Sequence, residues 1–312
     1  MSGVPVKVKN FEWKTIFNWS KNNSMVESLP EGIDKIQIGS GVYNVKSYAE
    51  VGKPYGAIYA KTFKRDAEGY ILCQLDGSPK EGQDYEYLGC VQADWRGGWN
   101  NVFRLGNFSF SVMFDFQKGG KFFSQTSIQS SVDGQSVKSL EGRDADFFSR
   151  KILGESDEER YGFMRPQNAN TPTANGQIYP DWGRPKGVVL PNCRYDEDVE
   201  GLAGQQVLGY CTPERYWMHY TSRDISRFIY DASYVKLREI TVSYDLPKKW
   251  LRKTPFQTFR VAAVGRNIAT LFANTPHGLD PQATSTTGNA QGFERGFNLP
   301  SATYGFDIKV SF

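Results

Sequence analysis

The chain has 312 residues, a formal charge of +3 and a mean hydropathy of −0.52, and 14% of its residues are aromatic. A charge this small does not predict a nucleic-acid partner. No apolar run approaches the roughly 18 residues that a transmembrane helix needs. This excludes a helical membrane protein. It does not exclude a membrane β-barrel, whose strands alternate between apolar and polar residues.

The N-terminus lacks the charged start and apolar core of a signal peptide. We interpret the chain as a fragment of a longer protein, although the sequence leaves open whether Met1 is a natural start. The first predicted strand spans residues 6–20, where Trp13, Phe17 and Trp19 share one face because a strand repeats every two residues. Its length suits a tilted membrane strand.

Residues 21–106 carry short strand candidates between turn signals and predict a long loop. The second predicted strand, residues 107–117, places four phenylalanines and a valine on one face. Residues 118–120 predict a tight hairpin turn, followed by a less regular third strand at 121–128. Residues 129–227, whose middle is rich in Pro, Gly and Asn, predict a second long loop.

The fourth predicted strand, residues 228–246, changes phase within its length. Leu237 and Ile240 fall on opposite faces of a regular strand. We therefore expect either a β-bulge or a strand that leaves the membrane and continues into a loop. A short basic turn leads to the fifth strand, residues 259–271, and residues 272–300 predict a third long loop.

The closing strand, residues 301–312, alternates without a break from Thr303 onwards, so one face is apolar and the other is small or polar. It ends on an aromatic residue, Phe312, as expected of the last strand of an outer-membrane barrel. The connections between the six strands run long, short, long, short, long. Outer-membrane barrels have this asymmetry, with short periplasmic turns and long extracellular loops.

Several motifs resemble the C-terminal part of SusC/RagA-type TonB-linked outer-membrane proteins. Residues 230–241, YDASYVKLREIT, resemble a strand near the end of that family. Further segments that match it are residues 51–56, 97–101, 246–247, 264–267, 274–276, 280–281 and 299–301, together with the terminal Phe312. The resemblance covers most of the chain and is densest towards its end.

This resemblance implies a TonB-dependent transporter of oligosaccharides or peptides in the outer membrane of a Gram-negative, Bacteroidota-like bacterium. The fold class would be all-β, and residues 1–312 would form the C-terminal portion, about six strands, of a barrel of about 22 strands. The implied partners are a SusD-like lipoprotein, outer-membrane lipid and, through a plug domain absent from this chain, the TonB–ExbB–ExbD complex. Such a fragment is not expected to transport alone.

Four cysteines fall into two local pairs along the chain. Closing a short loop costs the least chain entropy, so we predict the disulfides Cys73–Cys90 and Cys193–Cys211. Four unpaired thiols are the alternative. No Cys or His spacing is that of a zinc site, and we predict no metal of that kind.

Tryptophans in the predicted extracellular sections are candidates for stacking on sugar rings, and neighbouring asparagines for binding hydroxyls. The preferred interpretation is that these rings pack inside the loop layer. The candidate substrate contacts are Trp95, Trp99, Asn100, Asn101, Trp182 and Trp217.

The polar faces of the strands are expected to line the barrel lumen, while the apolar faces meet lipid. The candidate lumen residues are Asp115, Glu239, Arg260, Arg266, Asp307 and Lys309.

Asp196, Asp198 and Glu200 imitate the first half of a calcium-binding loop. The glutamate expected at the twelfth position is replaced by Val207. An acidic surface turn is therefore the preferred interpretation, and calcium the alternative.

No catalytic constellation stands out, since the two histidines are isolated and no nucleophile motif or phosphate-binding loop is found. We expect neither an enzyme nor a cofactor. The alternative to the transporter is a secreted carbohydrate-binding or adhesion β-sandwich, which would be soluble without detergent.

Overall fold

The structure is a computed structural model that describes residues 1–140, 188–211, 213–276, 278–284, 288, 291–296 and 300–312. Its strands are, in chain order, β1 (Ser2–Val8), β2 (Phe11–Ser20), β3 (Lys35–Ser40), β4 (Lys46–Glu50), β5 (Ala57–Ala60), β6 (Ile71–Cys73), β7 (Glu86–Cys90), β8 (Trp95–Leu105), β9 (Phe108–Lys118), β10 (Lys121–Ser124), β11 (Val188–Tyr195), β12 (Gln206–Cys211), β13 (Ile229–Asp231), β14 (Tyr234–Asp245), β15 (Thr258–Ala273), β16 (Phe293–Glu294) and β17 (Thr303–Ser311). The helical elements are α1 (Gln125–Val132), the turns Pro213–Arg215 and Lys248–Leu251, the π-helical Tyr216–Tyr220, and the 3₁₀ turns Val137–Leu140, Thr221–Arg223 and Ile225–Phe228.

Within the described part of the chain, seven strands form one antiparallel sheet in the order β1–β2–β8–β9–β14–β15–β17. Short turns join β1 to β2, β8 to β9, and β14 to β15, all at one end of the sheet. Long connections leave from the opposite end, which we call the loop end. The all-β class and the predicted one-sided loops are confirmed.

The strand β8 was missed by the sequence analysis, which placed it in the loop 21–106. It lies in the middle of the large sheet, so that connection ends at residue 94. Its apolar face carries Gly97 and Asn101 between aromatic residues, which hides the alternation. Gly97 is needed there because a Cβ would lie only 2.9 Å from the carbonyl oxygen of Asn18.

Residues 121–128 do not form a third strand of the large sheet, contrary to the prediction. Gly119 and Gly120, at φ 73° and 82°, turn the chain out of the sheet instead of closing a hairpin. The strand β10 then pairs with β13 and β16 in a small sheet. Ser124 caps α1, its side chain accepting a hydrogen bond from the amide of Ser127 at 3.1 Å.

The predicted first strand is in fact two strands, β1 and β2, joined by the turn at Lys9 and Asn10. The phase change in β14 is a β-bulge: its register against both β9 and β15 shifts between Leu237 and Glu239. The extra residue, Arg238, returns the following apolar side chains to the same face as Leu237.

One face of the large sheet is apolar and is not covered by any described part of the chain, and we call it the apolar face. Phe306 on β17 is 86% exposed, and Phe108 on β9 is 57% exposed. Aromatic rings contact one another across the strands, as Trp13 does with Phe103 at 5.9 Å between centroids. Soluble monomers rarely expose contiguous apolar surface on this scale.

The packed cores of the described residues lie in the long connections. One core gathers Phe63, Trp217 and residues of β6, β11 and β12; the other gathers Phe123, Phe228, Phe293 and residues of β5 and α1. Three small sheets, β3–β4–β5–β7, β12–β11–β6 and β13–β10–β16, frame these cores. No helix in the described ranges is long and apolar enough to cross a membrane.

The predicted disulfides are not formed, and all four cysteines are free thiols. Cys73 lies in the same buried core as Cys193 and Cys211, whereas Cys90 lies in another sheet, where its thiol donates to the carbonyl of Tyr55 at 3.3 Å. The pairing by sequence distance failed because β6 lies next to β11, so Cys73 neighbours Cys193 instead of Cys90.

We expect a maleimide to label the folded protein at Cys90, which is half-buried, and to leave Cys73 unlabelled until denaturant is added. Burial raises the pKa of the Cys90 thiol, so the labelling rate should increase with pH. The Cys73→Ser variant should label at Cys90 at an unchanged rate, measured by mass spectrometry. Labelling of Cys90 only after reduction, or only in Cys73→Ser, would contradict the structure.

Candidate functional site

All six predicted lumen residues lie on the face of the large sheet opposite the apolar face. We call it the polar face. Asp307 and Lys309 on β17 lie opposite Ala262 and Arg260 of β15. Arg260 and Arg266 in turn face Asp245 and Glu239 of β14. Met113, the neighbour of Glu239 on β9, shares the alternation of Asp115. The register therefore gives these side chains one common face.

Ion pairs follow the polar face from the turn end towards the middle. Arg260 binds both carboxylate oxygens of Asp245, at 2.6 and 2.8 Å. Arg266 binds Glu239 at 2.9 Å. A bidentate guanidinium–carboxylate pair has a fixed geometry as well as opposite charges, so these pairs join β14 to β15 independently of the backbone ladder.

A denser polar cluster occupies the same face at the loop end. The guanidinium of Arg238 binds the carboxylate of Asp115 and donates to Gln282 Oε1 at 2.7 Å. The Gln282 side chain donates to the hydroxyl of Tyr234 at 2.5 Å, and this hydroxyl donates to Asp115 at 3.3 Å. Gln282 belongs to the connection after β15, so the cluster fastens that connection to the sheet.

The centre of this cluster is a buried ion pair. Lys236 is 1% exposed, and its ammonium binds both carboxylate oxygens of Asp280 at 2.5 and 2.6 Å and Gln282 Oε1 at 3.0 Å. A buried charge is costly unless it is paired and hydrogen-bonded. The connection that carries Asp280 and Gln282 must therefore stay folded against the sheet while Lys236 is charged.

Two cavities open at the loop end. The smaller, of about 280 Å³, is lined by Arg96, Gln117 and Tyr234 of the polar face and by Gln282 and Lys121. The larger, of about 780 Å³, lies between the start of the connection after β2 and the residues flanking β7 and β9; its lining includes Asn22, Ser24, Tyr87, Gln92 and Gly120.

The candidate substrate contacts are mostly not brought together. Trp95 and Trp99 lie on the apolar face, where Trp95 meets Phe116 edge to face at 5.9 Å and Trp99 stacks on Phe114 at 5.8 Å. Asn101 is buried on that face and accepts a hydrogen bond from the indole of Trp13 at 3.0 Å.

Trp217 is buried in the core of the long connections, beside Tyr216. Trp182 lies outside the described residues. Of the five candidates that the structure describes, Asn100 alone lies on the polar face, where it accepts a hydrogen bond from Ser111 at 3.1 Å. Trp217 therefore packs inside the loop layer, as the preferred interpretation expected, whereas Trp95 and Trp99 belong to a strand of the large sheet instead of the loop layer.

Two of the three candidate calcium ligands, Asp196 and Asp198, are paired with lysines. The ammonium groups of Lys64 and Lys80 each lie 2.8 Å from Asp196 Oδ2, and Lys80 also binds Asp198. No group of three or more His, Cys, Asp or Glu suited to a metal exists among the residues that the structure describes. Burial acts to raise the pKa of Asp196, but the hydrogen bonds from both lysines and from the amide of Glu197 lower it to about 2.

Of the residues in the loop-end cluster, the sequence predicted only Asp115. Lys236 and Arg238 alternate with Val235 and Leu237 in the family-like motif, and these charges within a strand were the available signal. Their partners Asp280 and Gln282 are more than forty positions away along the chain. No spacing rule connects such residues, so the contacts had to come from the structure.

Comparisons with known proteins agree with this architecture. No protein-family model matches the chain. The chain is 23% identical to the TonB-dependent receptor P3 of Formosa agariphila over 318 residues, covering 95% of this chain and 26% of that receptor. A structure of the RagAB peptide transporter matches with a TM-score of 0.54 at 15% identity, covering 100% of this chain and 28% of that one.

The RagAB peptide importer in its open-open state matches with a TM-score of 0.53 at 16% identity and the same coverage. At these identities the structural matches show the fold. The family resemblance given by the motifs is confirmed by the matched receptor. The chain spans about a quarter of the length of these relatives, 26% and 28% respectively.

We expect Asp280→Asn to release the connection after β15, because it leaves the ammonium of Lys236 buried without its counter-ion. Losing one partner of a buried pair costs about 3–5 kcal/mol. Limited proteolysis between residues 274 and 296 should show faster cleavage than in the wild type. Adding Lys236→Met to this variant removes the stranded charge and should restore part of the protection. Equal cleavage of Asp280→Asn and the wild type would contradict the role of the pair.

The pairing of Asp196 should make the stability of the loop-end core depend on pH in the acid range. Its folded pKa of about 2 lies below the ordinary value of 3.8. The stabilisation is therefore complete above about pH 4 and is lost as the pH falls through about 2, a difference of about 2 kcal/mol.

Thermal unfolding measured by tryptophan fluorescence should show Asp196→Asn less stable than the wild type at pH 6 and equally stable near pH 2. Addition of calcium or of a chelator should shift neither curve. Stabilisation by calcium that Asp196→Asn abolishes would contradict the lysine pairing.

Proposed function

Because the chain is a relative of TonB-dependent receptors, we propose that it forms the C-terminal part of the barrel of an outer-membrane transporter. The whole protein would import oligosaccharides or peptides together with a SusD-like lipoprotein. Its energy would come from the TonB–ExbB–ExbD complex acting on a plug domain elsewhere in the protein. In this proposal the polar face lines the lumen and the long connections face the outside of the cell.

The observation that carries the proposal is the uncovered apolar face of the large sheet. Tyr304 and Phe306 at one edge are 75% and 86% exposed, and Trp99 near the other is 42% exposed. The opposite face carries ion pairs instead. Hydrocarbon on one side and water on the other account for both faces at once.

The two open edges of the sheet support a segment of a larger barrel. Strands β1 and β17 each pair on one side only within the described residues. Unpaired edges expose backbone donors and acceptors that further strands would satisfy. A barrel wall continuing beyond both edges is consistent with the 28% of the RagAB chain that this chain covers.

The packed connections at the loop end support a lipoprotein partner. They bury two cores of their own, including Trp217 and Phe293, and so present a folded surface instead of flexible loops. RagAB is a peptide transporter. By analogy with it, we propose peptides or oligosaccharides as cargo and a lid lipoprotein seated on this surface.

The alternative, a secreted sandwich, needs a second sheet against the apolar face. The small sheets of the described chain pack into the cores at the loop end instead. Phe306 and Ile308, at 86% and 61% exposed, would remain in water. The transporter is therefore the better account of this surface.

We expect Phe306→Lys to reduce insertion of the complete transporter into the outer membrane, because a lysine facing lipid near mid-depth costs roughly 2–4 kcal/mol. Asp307→Lys is the matched control, since it introduces the same side chain one position away on the polar face. The measurement is the yield of protein in purified outer membranes. Equal losses of yield in both variants would contradict the assignment of the apolar face to lipid.

Uptake tests the function itself. Deleting the gene from its host should abolish uptake of either labelled oligopeptides or labelled oligosaccharides, and the wild-type gene should restore it. A protonophore should block the restored uptake, because TonB-dependent transport needs an energised inner membrane. Uptake that survives either the deletion or the protonophore would reject the proposal.

A further inference from the structure

The smaller cavity at the loop end has an unusual charge arrangement. Three residues of its wall form one row across neighbouring strands: Arg96 on β8 lies opposite Gln117 on β9, which lies opposite Tyr234 on β14. Lys121 and Gln282 are further polar residues of the wall. The cavity therefore opens on the polar face, next to the cluster that fastens the connection after β15.

Three carboxylates near this cavity already have cationic partners. Asp115 is bound by Arg238, and Asp280 is bound by Lys236. Asp231 lies 3.8 Å from Lys121. Arg96 is exposed and forms no ion pair with any residue that the structure describes. The guanidinium of Arg96 therefore lies at the cavity without an acidic partner among the described residues.

The other polar groups of the wall are held in place. The amide nitrogen of Gln117 donates to the carbonyls of Gly119 and Ala232, at 3.2 Å each. The Tyr234 hydroxyl is fixed between Gln282 and Asp115. These bonds make a rigid wall, beside which Arg96 keeps its donors available.

We propose that this cavity is a subsite for an anionic group of the cargo, a carboxylate or a sulfate, bound by Arg96. The planar guanidinium matches such groups with two parallel hydrogen bonds. The proposal rests on the proposed transport function and narrows its substrate class. At about 280 Å³ the cavity is smaller than the roughly 300–1,000 Å³ of a complete ligand site, so it takes one acidic unit of a longer cargo.

The shared chemistry has two sources, an acidic side chain of a peptide or a uronate unit of a glycan. The test uses the complete transporter with its lipoprotein and two matched probe pairs. One pair is a labelled oligopeptide containing glutamate and the same peptide containing glutamine. The other is an oligogalacturonate and a neutral galacto-oligosaccharide of equal length.

We expect Arg96→Gln to weaken binding of the acidic member of one pair about ten- to hundredfold, as for a lost charge-assisted hydrogen bond. Binding of the neutral member should stay unchanged, and Arg96→Lys should retain part of the affinity. The matched control is Arg104→Gln, on the same strand and the same face at the turn end. It should bind both members like the wild type, and the outer-membrane yields should be equal.

Three results would overturn the subsite. They are an equal loss for acidic and neutral probes in Arg96→Gln, no loss in that variant, and a wild type that takes up only neutral probes. In each of these cases the wild type still transports, so the proposed function survives. A wild type that takes up no member of either pair would reject the proposed function and the subsite together.

Discussion

In the proposed transporter the large sheet depends on one constraint: each strand separates hydrocarbon from water. This constraint sets the alternation along β9, β14 and β17, and the bulge in β14 keeps it in phase where the chain gains a residue. It also explains why the sheet has no core on its apolar face, while the cores that exclude water lie in the connections. Two kinds of burial therefore operate in one chain, against lipid and against protein.

Electrostatics decides how the connections attach to the sheet. Lys236 is buried in a strand, and the connection after β15 supplies its counter-ion. Among the long connections, Asp196 binds both Lys64 and Lys80 and so joins the end of β11 to the segments flanking β6. Arg96 has no ion-pair partner among the described residues and lies next to these anchoring groups, so in our proposal the anchoring of the connection and the binding of cargo occur at the same end of the sheet.

The sequence predicted the features that depend on neighbouring residues. The closing strand, the common face of Asp115, Glu239 and Arg266, and the bulge all follow from a period of two and its interruption. Prediction from the sequence failed where a local pattern was hidden or where contacting residues are distant along the chain. Gly97 and Asn101 concealed β8, and the glycines after β9 imitated a hairpin. The residues that contact Cys73 and Lys236 belong to distant segments of the chain, and no rule based on sequence spacing predicts such contacts.

The most direct test of the account is a spin-label scan along β17, with single cysteines placed at residues 303–311 in the membrane-inserted transporter and Cys90 replaced by serine. Collisions with oxygen, which dissolves in lipid, should be most frequent at positions 304, 306, 308 and 310. Collisions with a water-soluble nickel chelate should be most frequent at the intervening positions 303, 305, 307, 309 and 311. A period of two in opposite phase for the two reagents is the predicted result. Equal access of the nickel chelate to both sets would contradict a lipid-facing surface.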